Sequence, residues 1–249
     1  MITIGVSLKT YLGHAQTIAW AEAVADIARD HPAVTSGAVE LFVAPTFPSL
    51  VPVRAALAGS GVLLAAQDLA EEDAGPFTGE VSGAELAEIG VDLVEIGHAE
   101  RRSLFHEDDA TVARKVRAAF RNHLRPLVCV GEATRASRPA AIEDVTGQLD
   151  RAVSPDAAGP VVVAYEPVWA IGAAEPAPDD HIVGVLAGIT EHLERRPELA
   201  GSVVVYGGSA GPGLLTRGRG RIGGLFLGRF AHDPAAVRTI LDEALALTR

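Results

Sequence analysis

Short β-branched apolar runs recur along the chain: Ile2–Val6, Val39–Ala44, Val62–Ala66, Val91–Ile96, Leu127–Val130, Val161–Tyr165, Val203–Tyr206 and Leu225–Leu227. Each is of strand length. Several are apolar almost throughout, the pattern of parallel strands covered on both faces rather than of half-wet antiparallel ones. Between them lie helical patterns over Thr17–Arg29, Asp109–Asn122, Ile142–Ala152, Asp179–Arg195 and Pro234–Leu247. The last begins with Pro234 directly after Asp233, a helix-start signal. Strand alternating with helix predicts a parallel α/β fold. Eight such units in 249 residues favour closure into a single-domain (β/α)8 barrel over residues 1–249, with a doubly wound open sheet as the competing architecture. No linker or low-complexity segment divides the chain. Residues 172–179 (Gly-Ala-Ala-Glu-Pro-Ala-Pro-Asp) read as a mobile loop, and residues 216–221 (Thr-Arg-Gly-Arg-Gly-Arg) as an exposed turn.

Composition narrows the function classes. A chain of this length can bury a large core without disulfide or metal staples. Hydrophobic residues make up 48%, yet no apolar stretch approaches the roughly 20 residues of a membrane span. Met1 leads at once into the first apolar run, with no basic segment and long apolar region before a cleavage site, so the expected location is the cytoplasm. The net charge is -11 and no Lys/Arg block stands out, which argues against a nucleic-acid partner. An anionic ligand must then be held by a local site. Cys129 is the single cysteine and lies in the run Leu127–Val130, which makes it a packing residue. His14, His98, His106, His181, His192 and His232 show no paired ligand spacing, so no metal is expected. No Gly-x-Gly-x-x-Gly follows the first strand, and no cofactor is indicated.

In a closed α/β barrel the C-terminal strand ends form the active face, so polar residues just after each run carry the most information. They are Lys9, His98 after Gly97, Glu166, the stretch Gly207-Gly208-Ser209, and Gly228-Arg229. A carboxylate such as Glu166, partly lifted from water, can take a proton from carbon beside a carbonyl and return it to the adjacent carbon. The enediolate formed on the way needs its negative oxygen stabilised; Lys9 can supply fixed charge and His98 a hydrogen bond. His98 precedes what reads as the first turn of a helix, where the helix dipole disfavours imidazolium and keeps the ring neutral. Glycine-rich tips at Gly172, Gly208, Ser209 and Gly228 let backbone N–H groups converge on an anion such as phosphate.

These residues fall in motifs that resemble the triosephosphate isomerase family nearly end to end. The matching stretches are Leu8-Lys9, Phe77–Glu80, Glu95–Arg102, Val128–Glu132, Ala164–Gly172, Tyr206–Ser209 and Leu227-Gly228. The resemblance implies a TIM barrel in which Lys9 and His98 polarise the substrate oxygens and Glu166 moves the proton. It implies phosphate binding by Gly172, Ser209 and Gly228, and a lid over Pro167–Ala177 with Trp169 packed beneath it and Tyr206 as its latch. It also implies a homodimer whose Gly75–Glu80 loop reaches the partner's site near Lys9 and Glu100. Four features depart from the family pattern. Ser7 stands where the family has Asn, so a substrate contact is lost or replaced. Ala99 replaces a Ser that holds the Glu open. Arg229 replaces a phosphate-site Gly and is either turned outward or a further cation for the substrate. Pro176 stiffens the lid hinge.

The expected substrate pair is glyceraldehyde 3-phosphate and dihydroxyacetone phosphate. The alternative is a four-carbon ketose phosphate such as an erythrulose phosphate, because Ser7 frees room and Ala99 and Arg229 alter the pocket rim. A non-catalytic barrel that binds sugar phosphate is the third reading, and an intact Lys9, His98 and Glu166 argue against it.

Overall fold

The computed structural model describes residues 1–157, 159–171 and 177–248. The strands β1 (Ile2–Ser7), β2 (Val39–Ala44), β3 (Leu63–Ala66), β4 (Leu93–Ile96), β5 (Arg125–Val130), β6 (Val162–Tyr165), β7 (Val203–Tyr206) and β8 (Gly224–Leu227) pair in sequence order and close on themselves. Every pairing is parallel, and β8 returns to β1 with Leu227 opposite Val6. Each apolar run of the sequence is one of these strands. Burial on both faces, by helices outside and by the lumen inside, is what makes the runs continuous instead of alternating.

The lumen is packed. Phe42, Leu93, Leu127, Val162, Val205 and Phe226 belong to one buried cluster, with Phe42 and Phe226 ring centroids 5.7 Å apart. Gly5 on β1 is required there, since a Cβ would strike the Phe42 ring. Cys129 joins this cluster, and burial pushes its thiol pKa well up, as a packing role requires. The second, larger cluster lies between barrel and helices and includes Ile4, Leu41, Leu64, Val128, Val163 and Ile240.

The longer helices, His14–Asp30, Asp109–Arg121, Arg138–Ala152, Asp179–Glu194 and Pro234–Leu247, fall where periodicity put them. The expected exposed turn at 216–221 is corrected: its first three residues complete a short helix, Leu214–Gly218. The Glu243 carboxylate accepts the N–H groups of Gly213 at 2.8 Å and Thr216 at 2.7 Å, so the helix start is capped from a distant segment. The turn begins only at Arg219, whose φ is +51°. No helix among the described residues is long and apolar enough to cross a membrane.

Candidate active site

The C-terminal strand ends surround a cavity of about 430 Å³. Its walls include Ser7, Lys9, His98, Glu166, Ser209 and Arg229, with Gly228 beside them. The structure therefore brings together every site residue expected from sequence except Gly172, which lies outside the described residues, as does Pro176. Among the described residues no cluster of three His, Cys, Asp or Glu side chains is arranged to hold a metal ion.

Lys9 leaves β1 with φ +47°, in the left-handed region. For a non-glycine residue that conformation costs about 1–3 kcal/mol and persists only where neighbours enforce it. Gln67, just beyond β3, does so: its Nε2 donates to the Lys9 carbonyl at 3.1 Å and the Ala44 carbonyl at 2.9 Å. Lys9 Nζ then sits 2.8 Å from Glu100 Oε1 and 3.1 Å from His98 Nε2. Burial opposes its charge, but Glu100, Glu166 and Glu95 outweigh burial and hold its pKa above the ordinary lysine value.

His98 caps the helix Ala99–Leu104. The Glu100 N–H donates to Nδ1 at 3.1 Å, so Nδ1 acts as an acceptor and Nε2 is left as the ring's N–H. The expectation of a neutral ring from the helix end alone is incomplete. Burial works against charge on the ring, yet the nearby carboxylates, Glu166 first and then Glu95, push its pKa up to about 9. In the resting site those carboxylates draw the ring toward imidazolium, while the helix amide holds the opposite tautomeric preference at Nδ1.

Glu166 is 4% exposed and follows β6, with its N–H donated to the Val130 carbonyl. Its Oε2 lies 3.2 Å from His98 Nε2 and has no aligned hydrogen-bond donor among the described residues. The side chain lies against Gly207. A Cβ at position 207 would lie 2.5 Å from Glu166 Oε1. Gly207→Ala is accordingly expected to lower kcat about a hundredfold with KM little changed, because a displacement of this size misaligns the carboxylate. Steady-state kinetics check this, and an unchanged kcat would show that the carboxylate has room elsewhere.

Sequence reasoning missed two polar groups under this site. Glu95, within β4, is 3% exposed and accepts the Ser7 hydroxyl proton at 3.1 Å. Glu132, beyond β5, is 2% exposed; Tyr165 Oη and Trp169 Nε1 donate to its Oε1 at 3.1 and 2.8 Å, and His181 Nε2 lies 3.3 Å away. Glu132 thereby fixes the turn Val168–Ala170. Glu95 was hidden inside the run Val91–Ile96, where a carboxylate set between apolar neighbours is itself the signal. Tyr206 is fully buried, and among the described residues its hydroxyl has no hydrogen-bond partner.

On the opposite wall, Ser209 Oγ donates to the Ala170 carbonyl at 3.4 Å, and Gly228 faces open space. Arg229 lines the cavity, its guanidinium 6.0 Å from the Tyr11 ring centroid.

The family model for Triosephosphate isomerase matches residues 2–244. The chain is 48% identical over 251 aligned positions to L-erythrulose-1-phosphate isomerase of Pectobacterium atrosepticum, covering 99% of this chain and 97% of that protein. It is 39% identical to the triosephosphate isomerase of Alkalilimnicola ehrlichii, over 89% of this chain and 92% of that one. Among solved structures, triosephosphate isomerase from Bartonella henselae superposes with a TM-score of 0.83 at 28% identity, covering 98% of this chain and 99% of that one.

Proposed function

Because the chain belongs to the triosephosphate isomerase family and is an isomerase of short sugar phosphates, we propose that its substrate is a four-carbon ketose phosphate of the erythrulose type. The observation that carries this reading is the higher identity, over nearly the whole chain, to the four-carbon enzyme. It reverses the order of the two substrates expected from sequence. Ser7 and Arg229, both on the cavity wall, support it as departures from the triose pattern.

In L-erythrulose 1-phosphate the carbonyl is on carbon 2. Glu166 removes the proton from carbon 3, giving a 2,3-enediolate, and returns it to carbon 2, which leaves the carbonyl on carbon 3 with no net oxidation. This is the triose reaction with a hydroxymethyl group in place of one hydrogen at the end far from phosphate. Lys9 and His98 stabilise the enediolate oxygens. Once Glu166 holds the substrate proton its negative charge is gone, and with it the first of the influences that raise the His98 pKa. The Glu100 amide then keeps Nδ1 an acceptor and Nε2–H a donor to the substrate. Gly172, Ser209, Gly228 and Arg229 hold the phosphate in this reading, with Tyr206 latching the lid.

The same reading includes a homodimer; exposed Tyr11, Phe77, Leu104 and Phe105 supply apolar surface for it. Purified protein assayed on L-erythrulose 1-phosphate and dihydroxyacetone phosphate is expected to favour the former by at least about tenfold in kcat/KM, the scale on which one well-placed polar contact discriminates. A reversed ratio returns the triose reading. Turnover of neither, with retained binding, returns the non-catalytic barrel.

A further inference from the structure

Glu95 occupies a position that the isomerisation itself does not use. It is buried beneath the cavity floor and is not among the residues lining it. One of its oxygens accepts the hydroxyl proton of Ser7, which does line the cavity, and the other lies 4.0 Å from His98 Nε2. A single carboxylate thus touches both Ser7 and His98, which places the Ser7 hydroxyl at the His98 end of the cavity, where the reaction occurs. Lys9 and Glu166 also act on it through space.

The chemistry of that pair is directional. A serine hydroxyl has one proton and two lone pairs. While the Glu95 carboxylate takes the proton, Ser7 Oγ can offer the cavity only an acceptor. An amide at position 7 would have offered donors. The group that fits an acceptor at the reacting end is a hydroxyl, and the four-carbon substrate differs from the triose by a terminal hydroxymethyl at that end.

We propose that Glu95 is a positioning residue for substrate selection: it fixes Ser7 Oγ as an acceptor for the terminal hydroxyl of a four-carbon substrate. The proposal rests on the four-carbon reading and deepens it.

The pair has a pH signature. Burial, the largest influence, pushes the Glu95 pKa up to about 7 against the opposing pull of His98. Above that pH the carboxylate holds Ser7 as an acceptor; below it, a protonated Glu95 donates to Ser7 and frees the serine proton toward the cavity. The other ionisable groups facing Glu95 are Lys9 after β1, His98 after β4, Cys129 on β5 and Glu166 after β6. Lys9 and His98 serve both substrates alike and the Cys129 thiol stays protonated, so their titration cancels in a ratio of the two kcat/KM values.

The experiment measures kcat/KM for L-erythrulose 1-phosphate and dihydroxyacetone phosphate between pH 5.5 and 8.5 in the wild type, Glu95→Gln, Glu95→Asp and Ser7→Ala. The wild-type ratio, four-carbon over triose, is expected to rise about tenfold through pH 7, the effect of one charge-assisted hydrogen bond. Glu95→Gln and Ser7→Ala should each lower the ratio by about that factor and remove its slope, while Glu95→Asp restores the slope. Equal losses on both substrates, or a slope that survives in Glu95→Gln, overturn the proposal with the four-carbon reading intact. A wild type that turns over only the triose overturns both. If Glu95→Gln does not fold, Ser7→Ala decides alone, since a ratio unchanged without that hydroxyl also overturns the proposal.

Discussion

Glu166→Gln is expected to lower kcat roughly a thousandfold, within the range a positioned general base supplies, and to leave KM within a few-fold of wild type. Glutamine keeps the shape of the side chain and fits the space over Gly207, so packing is not disturbed. What it loses is the ability to hold a proton taken from carbon. It also removes the charge that faces His98 at 3.2 Å. The His98 pKa should therefore fall from about 9, which NMR titration of the ring can follow independently of turnover. Solvent-hydrogen exchange at the substrate carbon provides a second readout and should stop with the isomerisation. A variant that keeps even a tenth of wild-type kcat would assign the base to another residue.

The second large effect concerns stability. Lys115, on the helix Asp109–Arg121, is 5% exposed, and its ammonium lies 2.7 Å from Asp68 and 2.6 Å from Glu107. Arg101 meets the same two carboxylates at 2.8 and 2.6 Å. Lys115→Ala leaves two buried acids to share one guanidinium, and removing one partner from a buried ion cluster costs about 3–5 kcal/mol. For a chain of this size that is a drop in Tm on the order of 10 °C. The loss should depend on pH. Burial, the largest influence, lifts the Asp68 pKa to about 6 against the pull of Lys115. A carboxyl raised in the folded state keeps a proton that the unfolded chain has already released, so stability falls as pH climbs from about 4 to 6. Without Lys115 the Asp68 pKa rises further and the fall extends to higher pH. Melting curves at pH 5 and pH 8 should show the larger deficit at pH 8; a Tm within about 2 °C of wild type at pH 8 would mean the cluster contributes little. Arg101 belongs to the helix that His98 caps, so the same variant should also weaken turnover.

How far the sequence could be read follows from what each element depends on. The strands were legible because burial on both faces leaves no alternation to misread, and the long helices because several turns of period accumulate. Short helices such as Leu50–Ala56, Gly83–Glu88 and Leu214–Gly218 carry too few residues for a period, and the last is capped by Glu243 from a distant part of the chain. Lys9, His98, Glu166, Ser209, Gly228 and Arg229 could be grouped in advance since barrel closure puts every strand's C-terminal end on one rim. Gln67 obeys the same strand-end rule and was open to the same inference. The link from Glu95 to Ser7 was not, because its partners lie 88 residues apart and touch only after the barrel closes. The charge on His98 was half legible: its helix is local, but the carboxylate that opposes the helix comes from another strand.

The seam between β8 and β1 sets the order in which the site can come into being. Ser7 and Lys9 sit on one side of it and Gly228 and Arg229 on the other, so one wall of the cavity joins the earliest and latest strands to leave the ribosome. A nascent chain that has not yet delivered β8 has no complete cavity, however well its earlier units have formed. Sugar phosphate therefore cannot act as a template for the growing chain, and it can stabilise the protein only after the ring has closed.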